Sequence, residues 1–356
     1  MQKGFAFMHR FDYSFLDNGL IPAELLNITI DIYSLRERAW TKRDIFENAF
    51  VELEKIAKVQ SVKSSNEIEG IITTDDRIRA IVQQNSAPRD HNEREIAGYR
   101  DALSLIHQEY AVMDFCEDDI RRMHRILFGL TEYDNSGEYK QTNNNIIEED
   151  SSGFRRIRFA PVTAADTPFA MNQLVLAYQD ARDNIRVNQL LLIPCVILDF
   201  LCIHPFRDGN GRISRLLSLL LLYKKGFDAG KYISFEEQIN NRKGNYYDAL
   251  RHSSVGWHEN QNDYSMFIME FLTTLYLCYK ELDRRFAVVG NKVTKQGRIE
   301  TVVLNSLTPI SKAEVCGILP DISPTTIETV LGRMVKNGQV KKIGTGRNTK
   351  YLRMME

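Results

Sequence analysis

The residues best equipped for chemistry stand together in His204-Pro205-Phe206-Arg207-Asp208-Gly209-Asn210-Gly211-Arg212-Ile213-Ser214-Arg215, between a strongly apolar run and a second segment of helical periodicity. Gly209 and Gly211 permit positive φ, which turns successive N–H groups inward, and the helix predicted to follow adds its positive end. That combination is an anion cradle suited to phosphate. Asp208 offers a hard carboxylate oxygen to Mg2+, the ion that accompanies a polyphosphate and keeps most of its waters. Arg212 and Arg215, three residues apart, present guanidinium forks toward the same cradle. Asn210 adds an amide donor. His204, with an ordinary pKa of about 6.5, is placed to take a proton from an incoming hydroxyl. Taken singly, each has a plain structural reading, because Gly-Asn-Gly is often only a turn and a histidine before proline is often only packed. Their joint occurrence in one short stretch points to a phosphate-handling site. Upstream, Ser65 and Glu69 are i and i+4 on a predicted helix spanning about 55–70 and closed by Gly70, so hydroxyl and carboxylate share a face. A solvated acidic helix end has the same pattern.

The loop matches His-Pro-Phe-x-Asp-Gly-Asn-Gly-Arg-x-x-Arg at every defined position and so resembles the Fic family. The resemblance runs from roughly Asp118 to Tyr247, through Met123-His124-Arg125, Gly137-Glu138-Tyr139-Lys140, Phe159-Ala160-Pro161 and Asn245-Tyr246-Tyr247-Asp248-Ala249-Leu250. It implies a helical bundle with a β-hairpin flap. It also implies transfer of AMP from ATP to a Ser, Thr or Tyr hydroxyl of a target protein, or of the chain itself, with release of pyrophosphate. On that resemblance His204 is the general base and Asp208 the Mg2+ ligand. Phe206, Gly209, Asn210, Gly211, Arg212 and Arg215 serve nucleotide binding, with Tyr246 and Tyr247 on the adenine side. Ser65, Glu69 and Gly70 match the inhibitory Ser/Thr-x-x-x-Glu-Gly/Asn, of the class whose inhibitory helix precedes the catalytic core; Glu69 paired with Arg215 would occupy the guanidinium needed by the γ-phosphate. The chain departs from its relatives at Asp199, where a histidine is frequent, and at Leu219 and Ser254, where some carry Asn. Removal of AMP, transfer of another nucleotide, or nucleotide sensing by a DNA-binding regulator are rival readings.

The elements that must position these residues are predominantly helical. Apolar residues recur at three- and four-residue intervals from Asn18 to about Ala57, then in 93–109, 117–130, 166–184, 190–203, 212–223, 240–253 and 263–286, which predicts a mainly α body. Two extended segments, Tyr139–Ile147 and Phe154–Phe159, flank a polar turn and predict a hairpin with a free edge, within a flap over 137–162 where a target segment could pair. The expected divisions are a helical N-terminal region over 1–110, a catalytic core over 111–255, a helical connector over 256–290, and a basic module over 291–356. That last module carries 11 Lys+Arg against 5 Asp+Glu, a local +6 that leaves −7 for the rest. Its helices and closing basic hairpin resemble a winged helix-turn-helix, with DNA or protein as partner.

Composition narrows the class. The chain has 356 residues, 43% hydrophobic and 10% aromatic, with nine prolines and a net charge of −1, as for a globular protein that binds no polyanion by bulk charge. The most apolar stretch, Leu190–Ile203, contains Asp199 and is too short for a membrane span. With no export signal discernible and five scattered cysteines, the expectation is a cytoplasmic protein with reduced thiols; a homodimer stays open.

Overall fold

The computed structural model describes residues 9–19, 21–43, 46–149, 155–287, 294–304, 306, 309–346 and 349–354. The body is helical, as its periodicity predicts. Helices α1 (Phe15–Asn18), α2 (Ala23–Arg43), α3 (Glu47–Ile68), α4 (Asp75–Gln84), α5 (His91–Glu109) and α6 (Glu117–Phe128) precede a hairpin of β1 (Ile146–Glu149) and β2 (Arg155–Phe159). Then come α7 (Thr167–Asp183), α8 (Gln189–Ile203), α9 (Asn210–Lys224), α10 (Phe235–Asn241), α11 (Lys243–Ser253) and α12 (Ser265–Ala287). The single helical run expected from Asn18 to about Ala57 is divided between α2 and α3, and α3 continues to Ile68. Its second half eludes apolar periodicity because its buried face is polar: Gln60, Ser61, Ser64, Ser65 and Asn66 are all interior. The expected helix 240–253 is likewise two, α10 and α11, broken at Arg242.

At the centre, α8 buries nearly every side chain and packs against α7, α9 and α12. Leu, Ile and Val on all sides make it an interior helix rather than an amphipathic one. Its one carboxylate, Asp199, is wholly buried and accepts hydrogen bonds from Tyr13 Oη (2.7 Å), Trp257 Nε1 (2.7 Å) and Tyr264 Oη (2.9 Å). Asp199 therefore ties the N-terminal segment and the chain after α11 onto α8. On the other side α9 meets α3, α5 and α6. Helices α5 and α6 approach closely at Gly98, where a Cβ would overlap the Leu127 carbonyl.

The hairpin is antiparallel, with Ile147 opposite Ile157 and a register shift between Ile146 and Ile147. Strand structure starts only at Ile146, whereas extended pairing is expected from Tyr139. The intervening residues are engaged elsewhere: Tyr139 Oη donates to Glu117, Asn143 Oδ1 accepts from the Ala164 N–H, and Lys140 and Asn144 bind the loop after α8. The polar turn expected at 150–153 and Phe154 lie outside the described residues.

The C-terminal elements are α13 (Lys295–Leu304), β3 (Ile310–Ser311), α14 (Lys312–Ile318), α15 (Pro324–Lys336), β4 (Val340–Ile343) and β5 (Lys350–Arg353), with sheet order β3-β5-β4. Ser311 and Glu314 form a reciprocal capping box at the start of α14. This unit is seated on the body through α14 against α3, where a Cβ at Gly317 would lie 2.7 Å from Glu52 Cγ. The five cysteines are free thiols, and no described helix is long and apolar enough to cross a membrane.

Candidate active site

The site forms where α8 stops. Its C-cap, His204, takes the left-handed conformation (φ 51, ψ 61), and Gly209 takes it again (φ 78) at the N-cap of α9. Two reversals within six residues fold the loop back over the start of α9. Asn210 secures that fold: its amide accepts from the Phe206 N–H at 2.9 Å and donates to the Phe206 carbonyl at 2.8 Å. The Asn210 side chain, expected as a nucleotide donor, is thus engaged with the Phe206 backbone. Phe206, also expected to serve nucleotide binding, faces inward. It is fully buried and stacks on His124 at 3.9 Å, so it is a core residue under the loop. His124 Nδ1 accepts from the Gly137 N–H (2.8 Å), which leaves Nε2–H to donate to the Asp208 carbonyl (3.2 Å). That histidine braces the loop and has its pKa pushed down to about 4, first by burial.

His204 Nδ1 lies 3.3 Å from the Leu201 carbonyl, which can only accept, so the proton is on Nδ1 and Nε2 carries the lone pair. Burial first, then the charge of Lys140, lower its pKa to about 4, against the opposing pull of Glu69 and Asp208. At neutral pH the ring is an acceptor. Asp208 has one oxygen on the Gly209 N–H (2.5 Å) and a side chain 63% exposed. One carboxylate with an open oxygen beside an anion cradle fits a Mg2+ that takes its remaining ligands from phosphate and water. No cluster of three or more acidic, histidine or cysteine ligands occurs among the described residues, so a protein-caged ion is not what this site offers.

Both arginines are buried and already engaged. Arg212 Nη1 pairs with Glu95 at 2.5 Å, with the guanidinium over the Phe128 ring. Arg215 Nε donates to Ser65 Oγ (2.8 Å), and its Nη2 donates to the Ser65 carbonyl (3.0 Å) and to Glu69 Oε1 (2.7 Å). The carboxylate of Glu69 also lies directly on Gly211, where a Cβ would overlap Oε1. Gly70, at φ 78, lets the chain leave α3 immediately after Glu69. Burial raises the Glu69 pKa, but Arg215, and more weakly Arg212 and Lys243, outweigh it and hold the group below the usual carboxylate range.

A cavity of about 270 Å3 gathers Glu69, His204, Asp208, Gly209, Asn210 and Gly211 with Tyr247. Of the two tyrosines, Tyr247 lines it, whereas Tyr246 is 5% exposed and sits in the core against Phe267. Three residues overlooked in the sequence also belong here. Glu95 partners Arg212 from 117 positions away. Arg158, on β2, lines the cavity with a buried Nε that makes no hydrogen bond. Lys140 binds the loop beside His204. Only Lys140 left a local signal, its place in Gly137-Glu138-Tyr139-Lys140.

Residues 114–222, which include the entire loop, match the model of the Fic/DOC family. That stretch of the chain is similar to the Fic/DOC family. The protein is 27% identical over 212 residues to "Protein adenylyltransferase Fic" of Nematostella vectensis, a match covering 57% of this chain and 44% of that one. It is also 27% identical over 172 residues to "Protein adenylyltransferase fic-1" of Caenorhabditis elegans, covering 45% and 30%. The chain therefore spans less than half the length of these curated relatives. Among solved structures, a Fic family protein of Desulfovibrio desulfuricans superposes with TM-score 0.62 at 19% identity, covering 95% of this chain and 98% of that one, a likeness of fold. Glu69, Tyr246 and Tyr247 lie outside the matched residues, so their placement rests on the geometry above.

Proposed function

We propose that this protein transfers AMP from ATP to a hydroxyl side chain of a target protein and is held inactive by its own Glu69. The observation carrying the proposal is that a carboxylate already occupies the start of α9, seated on Gly211 and paired with Arg215, in a cavity that also holds His204 and Asp208. A place that stabilises a carboxylate there stabilises a phosphate oxygen once the carboxylate withdraws. His204 Nε2 takes the hydroxyl proton as the oxygen attacks the α-phosphorus. The bond from that phosphorus to the bridging oxygen breaks, and pyrophosphate leaves. Asp208 would hold Mg2+, which when bound offsets charge on the phosphate oxygens. The Gly209–Gly211 backbone and Arg215 receive the β- and γ-phosphates, and Tyr247 borders the space for the base. A target segment pairs with the flap, where Ile147 and Ile157, opposite each other on the ladder, are each 60% exposed. The C-terminal unit is proposed as a winged helix-turn-helix that engages DNA or protein.

The test is incorporation of labelled AMP from ATP into protein. Glu69→Gly raises it by at least about tenfold, which corresponds to removing about 1.4 kcal/mol of competition for the cradle. Adding His204→Ala then lowers it by about 10²-fold or more. Equal incorporation by wild type and Glu69→Gly overturns the inhibitory role; incorporation that survives loss of His204 overturns the base.

A further inference from the structure

His204 sits in the left-handed backbone conformation (φ 51), uncommon for a residue other than glycine, at the C-terminal end of a buried helix. Something must hold it there. The residues on either side of it are bound by one other residue. The Lys140 N–H donates to the Pro205 carbonyl at 2.8 Å, and Lys140 Nζ donates to the Ile203 carbonyl at 3.0 Å. The ammonium makes a further bond to Asn144 Oδ1 (2.8 Å), while Asn144 Nδ2 donates to the Phe206 carbonyl at 3.2 Å. Lys140 is 4% exposed, and no carboxylate pairs with it among the described residues. A lysine placed so deeply with only carbonyl and amide acceptors is uncommon, because an ammonium loses its hydration there and keeps its charge only at a cost.

We propose that Lys140 is a positioning residue for His204: it grips the chain before and after the imidazole, and its positive charge opposes a proton on the ring. The inference rests on His204 acting as the base in AMP transfer. A general base must arrive unprotonated and correctly aimed, and Lys140 serves both needs from one atom. The other charged groups facing the ring are Glu69, from the end of α3, and Asp208, from the loop itself; both favour the protonated ring, and Arg207 borders the same cavity. Lys140 is the cation beside the ring that counters the two carboxylates. Burial lowers its own pKa to about 8, so the charge is present at neutral pH, where the base has to work.

The experiment separates the charge from the grip. Lys140→Gln keeps an N–H donor for the Ile203 carbonyl without the charge, and Lys140→Arg keeps the charge. In the full chain carrying Glu69→Gly, the His204 ring is titrated by NMR of labelled histidine, its signal assigned by loss in His204→Ala. In parallel, the pH dependence of AMP incorporation is measured. Lys140→Gln raises the proton affinity of His204 by at least about threefold, and the acid limb of kcat moves to higher pH by the same factor while KM for ATP stays within about twofold. Lys140→Arg leaves both near the Glu69→Gly parent. The proposal is overturned if the Gln and Arg variants titrate alike or if the parent's ring titration is unaffected by Gln. Should Lys140→Gln fail to fold, Lys140→Met replaces it: it removes the charge while filling a similar buried volume, so His204 again gains proton affinity, and an unchanged titration overturns the proposal. Because the NMR titration needs no turnover, a chain that transfers no AMP at all defeats the reaction assigned above while leaving the Lys140 measurement decisive.

Discussion

The proposed resting state turns on the carboxylate of Glu69, and the charge of that group decides when it would persist. Burial works against the charge; Arg215 at 2.7 Å outweighs burial, and the net effect lies below the ordinary value of 4.5. A carboxylate whose pKa is depressed on folding contributes its full pairing above the unfolded value and loses it only as pH falls through the lower folded one. Under the proposed inhibition the Glu69 carboxylate therefore stays charged above the ordinary carboxylate range, and mild acid is no release signal. The ratio of AMP incorporation between Glu69→Gly and wild type, measured from pH 5 to 8, is expected to stay constant within about twofold. A ratio that collapses toward one at pH 5 rejects this account. At this scale the sequence was informative wherever partners share a helix or a loop, as with Ser65 and Glu69. It was silent on Glu95 and on the contacts of Lys140, which exist only through residues 117 and 63 positions away.

At the scale of elements, the loop is only as well placed as the helices that carry it, and α6 holds it through His124 and Phe128. The distance of α6 from α5 is set at Gly98, where the Leu127 backbone leaves no room for a methyl group. A flexible side chain can move aside; a carbonyl within a helix moves only with the helix. Gly98→Ala is expected to cost about 1–3 kcal/mol, seen as a lower midpoint in thermal unfolding, although alanine is the better helix former by about 1 kcal/mol. An unchanged or higher midpoint would mean that the two helices part freely. Helix type and approximate extent were legible here because apolar periodicity is strong. The breaks between α2 and α3 and between α10 and α11 were not, because apolar spacing continues across both. The strand expected from Tyr139 was displaced by tertiary bonds to the catalytic loop.

Across the whole molecule, the C-terminal unit packs on the same helix, α3, that Glu69 caps. α14 rests on the first half of α3 at Glu52, and α3 ends at Glu69 on the cradle. A disturbance at the first contact is felt along α3 because a helix transmits strain as a rigid element. Gly317→Leu, which forces α14 away from Glu52, is expected to raise amide hydrogen exchange in the first two turns of α3, with α8 unchanged. Exchange in α3 identical to wild type would show that the contact bears no load. The basic character of residues 291–356 is a matter of composition alone, +6 against −7 for the rest. Where that unit docks was not legible, since one glycine against one glutamate leaves no pattern in a sequence.

The sequence by itself determined the glycine-bearing loop at 204–211 and the helices flanking it, because glycine conformational freedom, helix periodicity and the chemistry of His, Asp and Arg are properties of neighbouring residues. Tertiary structure alone decided that Phe206, Tyr246 and the Asn210 side chain belong to the interior. It also decided that both arginines are already engaged and that a buried lysine grips the histidine. Those outcomes depend on which surfaces exclude water and which charges meet across the fold, and burial and long-range pairing are set only when the whole chain has closed on itself.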